Sequence, residues 1–302
     1  MKHTASAIIQ LQSLPLFYQV ERSKRLIHEA MQHFNYKMAV SFSGGKDSTV
    51  LLHLVRSLYP EVPAVFVNTG LEYPEIVKFV RQTENVVWLR PKMRFKDVLE
   101  KYGYPVVSKR ISNYIYEMRN TKSEYMRNLR MNGKPEGNKD KISECWKYLI
   151  ESPFKISPLC CGIMKKRPIE KYHHQSDNHA FVGTMACDGS LRLNSIMLHG
   201  CNAFDSKHPQ SRPLAMWTEG HVWEYLHTFN VPYSPIYDMG YTRTGCMFCM
   251  FGLHMESYPN RFERMRETHP KLYRYCMEDL GLQKVMEWYP KRGYMPQERM
   301  FG

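Results

Sequence analysis

The residues with the most concentrated chemistry are the run Ser43-Gly44-Gly45-Lys46-Asp47-Ser48 and two cysteine pairs, Cys160-Cys161 and Cys246-Met247-Phe248-Cys249. In the run, two glycines let backbone N–H groups approach a ligand closely, and a helix opening after them adds the positive end of its dipole. Lys46 brings a positive charge, and Ser43 and Ser48 bring hydroxyl donors. Such a loop is a cradle for phosphate. It is not a Walker A loop, which needs G-x-x-x-x-G-K-[ST], and it is not the dinucleotide fingerprint G-x-G-x-x-G.

Four thiolates can ligate zinc or an iron–sulfur cluster. An adjacent Cys-Cys fits the usual pair of zinc knuckles poorly, and free core thiols are the third alternative. Lys155, Lys165, Lys166 and Arg167 flank the first pair and would stabilise thiolates. Cys145, Cys187, Cys201 and Cys276 lack such company and are expected to be small buried residues. Cys187, beside Asp188, is also a candidate sulfur-carrying thiol. The histidines show no H-x-x-x-H spacing, and His173-His174 is expected at the surface.

A phosphate loop needs a strand before it and a helix after it. Met38 to Phe42 reads as a short buried strand, and the residues after Asp47-Ser48 read as a helix through Leu51, Leu52, Leu54 and Val55. An amphipathic helix precedes them over residues 19–33. Pro63 to Asn68 gives a second strand, Pro74 to Gln82 a helix with Pro at its start, and Val86 to Leu89 a third strand. Ala180 to Gly183 returns to the sheet, and Thr218 caps a helix running to Phe229. Strands alternating with helices in this way predict an α/β fold with a doubly wound parallel sheet. The pattern is more helical from Arg94 to Leu129, Asn132 to Asn138 reads as a mobile loop, and the stretch from Pro259 onward is mainly helical. The expected organisation is a nucleotide-binding domain over 1–250 with a basic helical insertion at about 92–171, and a helical C-terminal extension over 251–302.

With 302 residues, 43% hydrophobic and 24% charged, the chain is globular in composition. No apolar run approaches the roughly 20 residues that span a bilayer. Met1-Lys2-His3-Thr4 leads into mixed polar sequence, so a cytoplasmic protein without a membrane partner is expected, and its eight cysteines are then thiols or ligands rather than disulfides. The net charge of +13 implies an anionic partner. Residues 92–171 carry 19 Lys and Arg against 9 Asp and Glu, interleaved with Tyr102, Tyr104, Tyr114, Tyr116, Tyr125, Trp146 and Tyr148. That mixture suits nucleic acid, whose phosphates need neutralising and whose bases stack, and it equally suits a solvated basic helix with Tyr on its core side.

Ser-Gly-Gly-Lys-Asp-Ser resembles the PP-loop of the N-type ATP pyrophosphatases, which cut ATP between its α- and β-phosphates. Asn68-Thr69-Gly70-Leu71-Glu72-Tyr73-Pro74-Glu75 resembles the second nucleotide-site motif of the phosphoadenosine phosphosulfate (PAPS) reductase branch. Tyr102 to Lys109, Phe181-Val182-Gly183-Thr184 with Arg192, and Pro213 to Thr218 are similar to its later blocks. The resemblance implies that Ser43, Gly44, Gly45, Lys46, Asp47, Ser48, Asn68, Thr69, Gly70, Glu72 and Gly183 bind ATP, or adenylylsulfate (APS) or PAPS, with Mg²⁺. It implies that Lys46, Asp47, Ser48 and Arg192 serve catalysis. The Cys-Cys plus distant C-x-x-C arrangement is similar to the four-iron four-sulfur site of assimilatory APS reductases, implying a 4Fe-4S cluster on Cys160, Cys161, Cys246 and Cys249.

APS and PAPS reductases take sulfite on a cysteine in a C-terminal Glu-Cys-Gly-Leu-His motif. Residues 297–302 read Gln-Glu-Arg-Met-Phe-Gly, and Cys276 matches that motif neither in context nor in position. The expectation is therefore sulfur transfer resembling the ATP pyrophosphatase component of DNA phosphorothioation systems. Nucleic acid would bind through 92–171, a donor such as a cysteine desulfurase would supply sulfur, and an oligomer is allowed. The alternatives are a sulfonucleotide reductase using Cys187, Cys276 or a partner's thiol, and a nucleotide-binding module without catalysis.

Overall fold

The structure is a computed structural model that describes residues 3–134 and 140–288. Part of the expected loop at 132–138, and residues 297–302, lie outside them. The chain runs α1 (Ala5–Gln12), α2 (Leu16–His33), β1 (Met38–Ser41), α3 (Lys46–Leu58), β2 (Ala64–Val67), α4 (Pro74–Gln82) and β3 (Val86–Leu89). It continues with α5 (Phe95–Tyr102), β4 (Val106–Val107), α6 (Lys109–Asn120) and α7 (Glu124–Asn132). After these come α8 (Arg167–Ser176), β5 (His179–Phe181), α9 (Ser190–His199), β6 (Asn202–Ala203), β7 (Gln210–Ser211) and α10 (Glu219–Thr228). The last elements are β8 (Met250–Phe251), α11 (Arg261–Thr268), α12 (Pro270–Arg274) and α13 (Leu282–Trp288).

Contacts divide the chain into two compact units. Among the described residues, one comprises 3–68, 72–90 and 168–244, and the other 69–71, 91–167 and 245–288.

The first unit is built on a six-stranded sheet in the order β3-β2-β1-β5-β7-β6, parallel except for the β6–β7 pair. β2 is buried at every position and β1 at its first three, as parallel strands covered on both faces must be. The strand order moves outward from β1 to β2 and β3, then resumes on the other side of β1 with β5. The carboxyl ends of β1 and β5 therefore flank a topological switch point, where open α/β sheets bind their ligands. Sequence signals place the surrounding helices well. Pro74 opens α4 at its first turn, and Thr218 caps α10 by accepting the His221 N–H, 3.3 Å. The buried Trp217 donates from Nε1 to Ser23 Oγ (2.9 Å), whose hydroxyl donates to the Pro213 carbonyl (2.9 Å), tying α2 to the Pro213–Thr218 block.

The second unit is mainly helical around a two-stranded parallel pair, β4 with β8. Its interior holds Phe248, Leu253, Phe262, Met265 and Leu282, each almost fully buried. Arg119 donates to the carbonyls of Leu149, Ile150, Ser152 and Phe154, closing the end of a 3-10 helix at 144–151. Arg130 is buried between Glu117, the Asp140 carbonyl and the ring of Tyr114. Part of the basic aromatic stretch is thus internal scaffolding. Trp146 is buried, while Tyr125 is exposed on α7 and Lys122 precedes that helix, also exposed. Among the described residues, no helix is long and apolar enough to cross a membrane.

Candidate functional site

In the first unit, β1 ends at Ser41 and the chain turns through Phe42, Ser43, Gly44 and Gly45 into α3, which starts at Lys46. Gly44 takes a left-handed φ of +72°, and a Cβ there would stand 2.8 Å from Val80 Cγ2 and 2.9 Å from Ile76 Cγ2. Only glycine meets both demands. The loop is then locked from within. Ser48 Oγ donates to the Gly45 carbonyl (2.9 Å), accepts from the Ser43 N–H (3.1 Å) and lies 3.0 Å from Ser43 Oγ. Thr49 Oγ1 also donates to the Gly45 carbonyl, 3.0 Å.

Gly183, just beyond the carboxyl end of β5, packs on the start of α3: a Cβ there would lie 3.3 Å from the Asp47 carbonyl oxygen. The sheet thus brings together Ser43, Gly44, Gly45, Lys46, Asp47, Ser48 and Gly183, as the motifs require. Asn68 follows β2, where its N–H donates to the Leu89 carbonyl (2.9 Å), and Glu72 lies half-buried two residues before α4. Thr69 and Gly70 belong to the second unit. Thr69 Oγ1 accepts the Leu71 N–H (3.2 Å), and Gly70 has a φ of +77° with open space around its Cα.

The charges at the loop form one network. Lys46 Nζ lies 3.2 Å from Glu219 Oε1, 3.7 Å from Asp47 Oδ1 and 3.2 Å from the Thr242 carbonyl oxygen. Burial would lower the Lys46 pKa, but the Asp47 charge, with Tyr237 and Glu219, outweighs it, so the ammonium is held above its ordinary value. Burial pushes the Asp47 carboxyl up, against the pull of Lys46 and Arg243, with Asp188 and Glu219 adding repulsion. Arg192 pairs with Asp188 at 2.5 Å, and Asp188 also accepts the Met185 N–H at 2.9 Å. Sequence reasoning missed Glu219, Tyr237 and Arg243, which lie far along the chain from the loop and carry no motif of their own.

Asp47 Oδ1 is buried and accepts no hydrogen bond. A carboxylate oxygen of this kind at a phosphate loop fits a hard divalent cation such as Mg²⁺. A hollow of about 300 Å³ in the same unit is lined by Pro74, Glu75, Lys78, Phe79, Gln82 and Pro235 and contains none of the loop residues.

In the second unit, Cys160 and Cys161 start a helical turn that widens into a π-helix at Gly162–Lys166, a local irregularity common at functional sites. Cys246 and Cys249 bracket a tight turn, closed by the Cys249 N–H to the Cys246 carbonyl (2.9 Å), that leads directly into β8. The Arg261 guanidinium donates to the Cys249 and Phe251 carbonyls and pairs with Glu256. Cys160 and Cys161 are in sulfur-to-sulfur contact at 4.0 Å. The hydrogen bond from Cys160 draws the Cys161 thiol down to about 6, helped by Lys109, Lys165 and Lys166. Cys160 is pushed up by that same bond, by burial, and by the neighbouring Cys161, Cys249 and Cys246. Cys160 is thus within electrostatic reach of the other three predicted ligands. Among the described residues, no set of three or more Cys, His, Asp or Glu is arranged to hold a metal ion. By donor type, four thiols with Lys109, Lys165 and Lys166 acting on Cys161 and Arg261 on Cys249 would suit a thiolate-ligated iron–sulfur cluster.

The remaining cysteines correct one expectation. Cys201 and Cys276 are buried, as expected, but Cys145 and Cys187, each in a 3-10 helix, are exposed. Although Cys187 is exposed as a residue, its thiol is partly desolvated, which pushes it up, with Asp188 and Asp47 adding repulsion, and burial raises Cys276 to about 12. His173 is half-buried, with Nδ1 bonded to the Asn178 carbonyl, and only His174 is exposed.

The model of the phosphoadenosine phosphosulfate reductase domain matches residues 37–109 and 111–251, and the chain belongs to that family. It is 28% identical over 214 residues to an uncharacterized protein of Methanocaldococcus jannaschii, covering 70% of this chain and 35% of that protein. The chain thus spans about a third of that relative's length. It is 23% identical over 227 residues to an adenosine 5'-phosphosulfate reductase of Bacillus cytotoxicus, covering 73% of this chain and 76% of that one. A phosphoadenylyl-sulfate reductase structure from Candida auris, in a phosphate complex, aligns with a TM-score of 0.44 at 16% identity, covering 82% of this chain and 97% of that one.

Proposed function

We propose that the chain is an ATP-using sulfur-transfer enzyme, with nucleic acid as acceptor in a phosphorothioation-like reaction. An acceptor oxygen attacks the α-phosphorus of ATP, the bridging bond to the β-phosphate breaks, and pyrophosphate leaves with the bonding electron pair. A sulfur nucleophile, supplied by a donor such as a cysteine desulfurase, then displaces AMP together with that oxygen. Lys46 and the loop N–H groups stabilise the charge that develops on the departing phosphates, Ser43 donates a hydrogen bond to them, and Ser48 holds the loop in shape through the Gly45 carbonyl. Asp47 would share Mg²⁺ with the phosphates, and Arg192, held by Asp188, orients a second anionic group. A 4Fe-4S cluster on Cys160, Cys161, Cys246 and Cys249 would supply a centre that binds and positions sulfur.

One observation carries this reading over reduction by a lone thiol. Cys187 and Cys276 are both held protonated, whereas Cys161 in the quartet is drawn down to about 6. The thiolate is the reactive form, and Cys161, in the quartet, is the cysteine drawn towards it, while Cys160 and Cys249 are pushed up. A second reading, reduction of APS or PAPS with a partner's thiol, is favoured by the likeness to the Bacillus cytotoxicus enzyme.

Anaerobic incubation with Mg-ATP, with and without DNA or RNA, separates the two. AMP and pyrophosphate stimulated by nucleic acid support sulfur transfer. Sulfite from APS or PAPS without ATP cleavage selects the reductase, and neither product leaves a binding module.

A further inference from the structure

The Lys46 donors of the phosphate loop are engaged by the protein itself. The Lys46 N–H, the first amide of α3, donates to Tyr237 Oη at 2.8 Å. Tyr237 Oη lies 3.2 Å from Thr244 Oγ1, and both hydroxyls press on Gly45, where a Cβ would stand 2.7 Å from Thr244 Oγ1 and 3.1 Å from Tyr237 Oη. The Lys46 ammonium donates to the Thr242 carbonyl, pairs with Glu219, and lies 5.5 Å from the centre of the Tyr237 ring. Lys46 is consequently only 6% exposed. Hydroxyl oxygens, a carbonyl and a carboxylate thus occupy the positions that phosphate oxygens take at a helix N-terminus.

We propose that the strap from Tyr237 to Thr244, together with Glu219, is a latch that fills the phosphate cradle in the free protein and is displaced when a polyphosphate binds. The proposal rests on the reading of the loop as a polyphosphate site. A ligand bringing two adjacent phosphates has the charge to replace Glu219 at Lys46 and the oxygen to replace Tyr237 at the Lys46 N–H. A neutral or singly charged ligand has less to offer in exchange, so the latch favours polyphosphates over monoanions. Arg243, on the strap and within electrostatic reach of Asp47, is released by the same movement.

The test uses the full chain and inorganic pyrophosphate, titrated calorimetrically against wild type, Tyr237→Phe, Glu219→Gln and Lys46→Ala. Removing one competing hydrogen bond should tighten binding about three- to tenfold in Tyr237→Phe. Removing the exposed competing carboxylate should tighten it about two- to fivefold in Glu219→Gln, with the gain shrinking at high salt. Lys46→Ala should lose binding. Weaker or unchanged binding in Tyr237→Phe, with wild type binding normally, overturns the latch alone. No binding by any variant overturns both the latch and the reading of the loop. Hydrogen exchange of the free protein is the second readout: the Lys46 amide should be protected in wild type and exchange faster in Tyr237→Phe. A freely exchanging Lys46 amide in wild type overturns the latch irrespective of any ligand.

Discussion

The sulfur of Cys160 lies 4.0 Å from the sulfur of Cys161 and donates to it, which draws Cys161 down and pushes Cys160 up, with Lys109, Lys165 and Lys166 adding to the pull on Cys161. Protein purified without oxygen should therefore be brown from an iron–sulfur chromophore. Cys246→Ala should lose the colour and the bound iron while the far-ultraviolet circular dichroism stays unchanged. A colourless wild type carrying one zinc ion per chain would contradict the cluster assignment.

Lys46 is the one cation held at the first turn of α3 with its pKa raised. Lys46→Ala should lower nucleotide turnover by about 10²- to 10³-fold, as when a preorganised donor to a developing charge is removed. Steady-state assays of pyrophosphate release measure this, and a loss under tenfold would remove Lys46 from the chemistry.

Asp47 has a pKa raised by burial and by Asp188 and Glu219, despite Lys46 and Arg243. A group whose folded pKa lies above its unfolded value stabilises the fold below the unfolded pKa, and that contribution is lost as pH rises through the folded pKa. At pH 7 the charged carboxylate is therefore a net cost to the free protein. Asp47→Asn should raise Tm at pH 7, and the gain should fade towards the unfolded value of about 3.9. A Tm at pH 7 that is unchanged or lower than wild type contradicts this account.

Gly44→Ala tests the loop conformation. The left-handed backbone costs about 1–2 kcal/mol for a residue with a Cβ, and the contacts with Val80 and Ile76 add to it. Urea unfolding should show that loss, and a stability equal to wild type would mean that the loop relaxes without strain.

The cations of the 92–171 stretch should divide into two kinds. Arg119→Ala strands four carbonyls and should cost on the order of 3 kcal/mol of stability. Lys122→Ala combined with Tyr125→Ala, both exposed, should leave Tm within a degree or two of wild type but weaken nucleic-acid binding and flatten its salt dependence. Unchanged binding by the double variant would exclude this surface as the contact.

Local signals were enough for the elements that position the loop. Pro74 at a first turn, Thr218 as an N-cap and the buried run before Ser43 each act within a few residues, so sequence alone placed α4, α10 and β1. Two-residue strands such as β6, β7 and β8 carry no periodicity of their own and form only because a neighbouring edge offers backbone partners. The short helix α1 was equally silent, since its Ile8 is buried only by packing against residues such as Ile196 and Ala215.

The loop motif and the spacing of the cysteines state which chemistry the chain can hold, because donor type and backbone freedom are local properties of the residues. What faces those donors is decided by folding. Tyr237, Glu219 and Arg243 meet Lys46 and Asp47 only when the sheet and α10 have closed on α3, and nothing in their own neighbourhoods announces it. The state of the Cys187 and Cys161 thiols is likewise set by what folding brings to them. Desolvation and surrounding carboxylates push the first up, while a hydrogen-bonded partner and three lysines draw the second down, because long-range electrostatics depend on distances that only the tertiary structure sets.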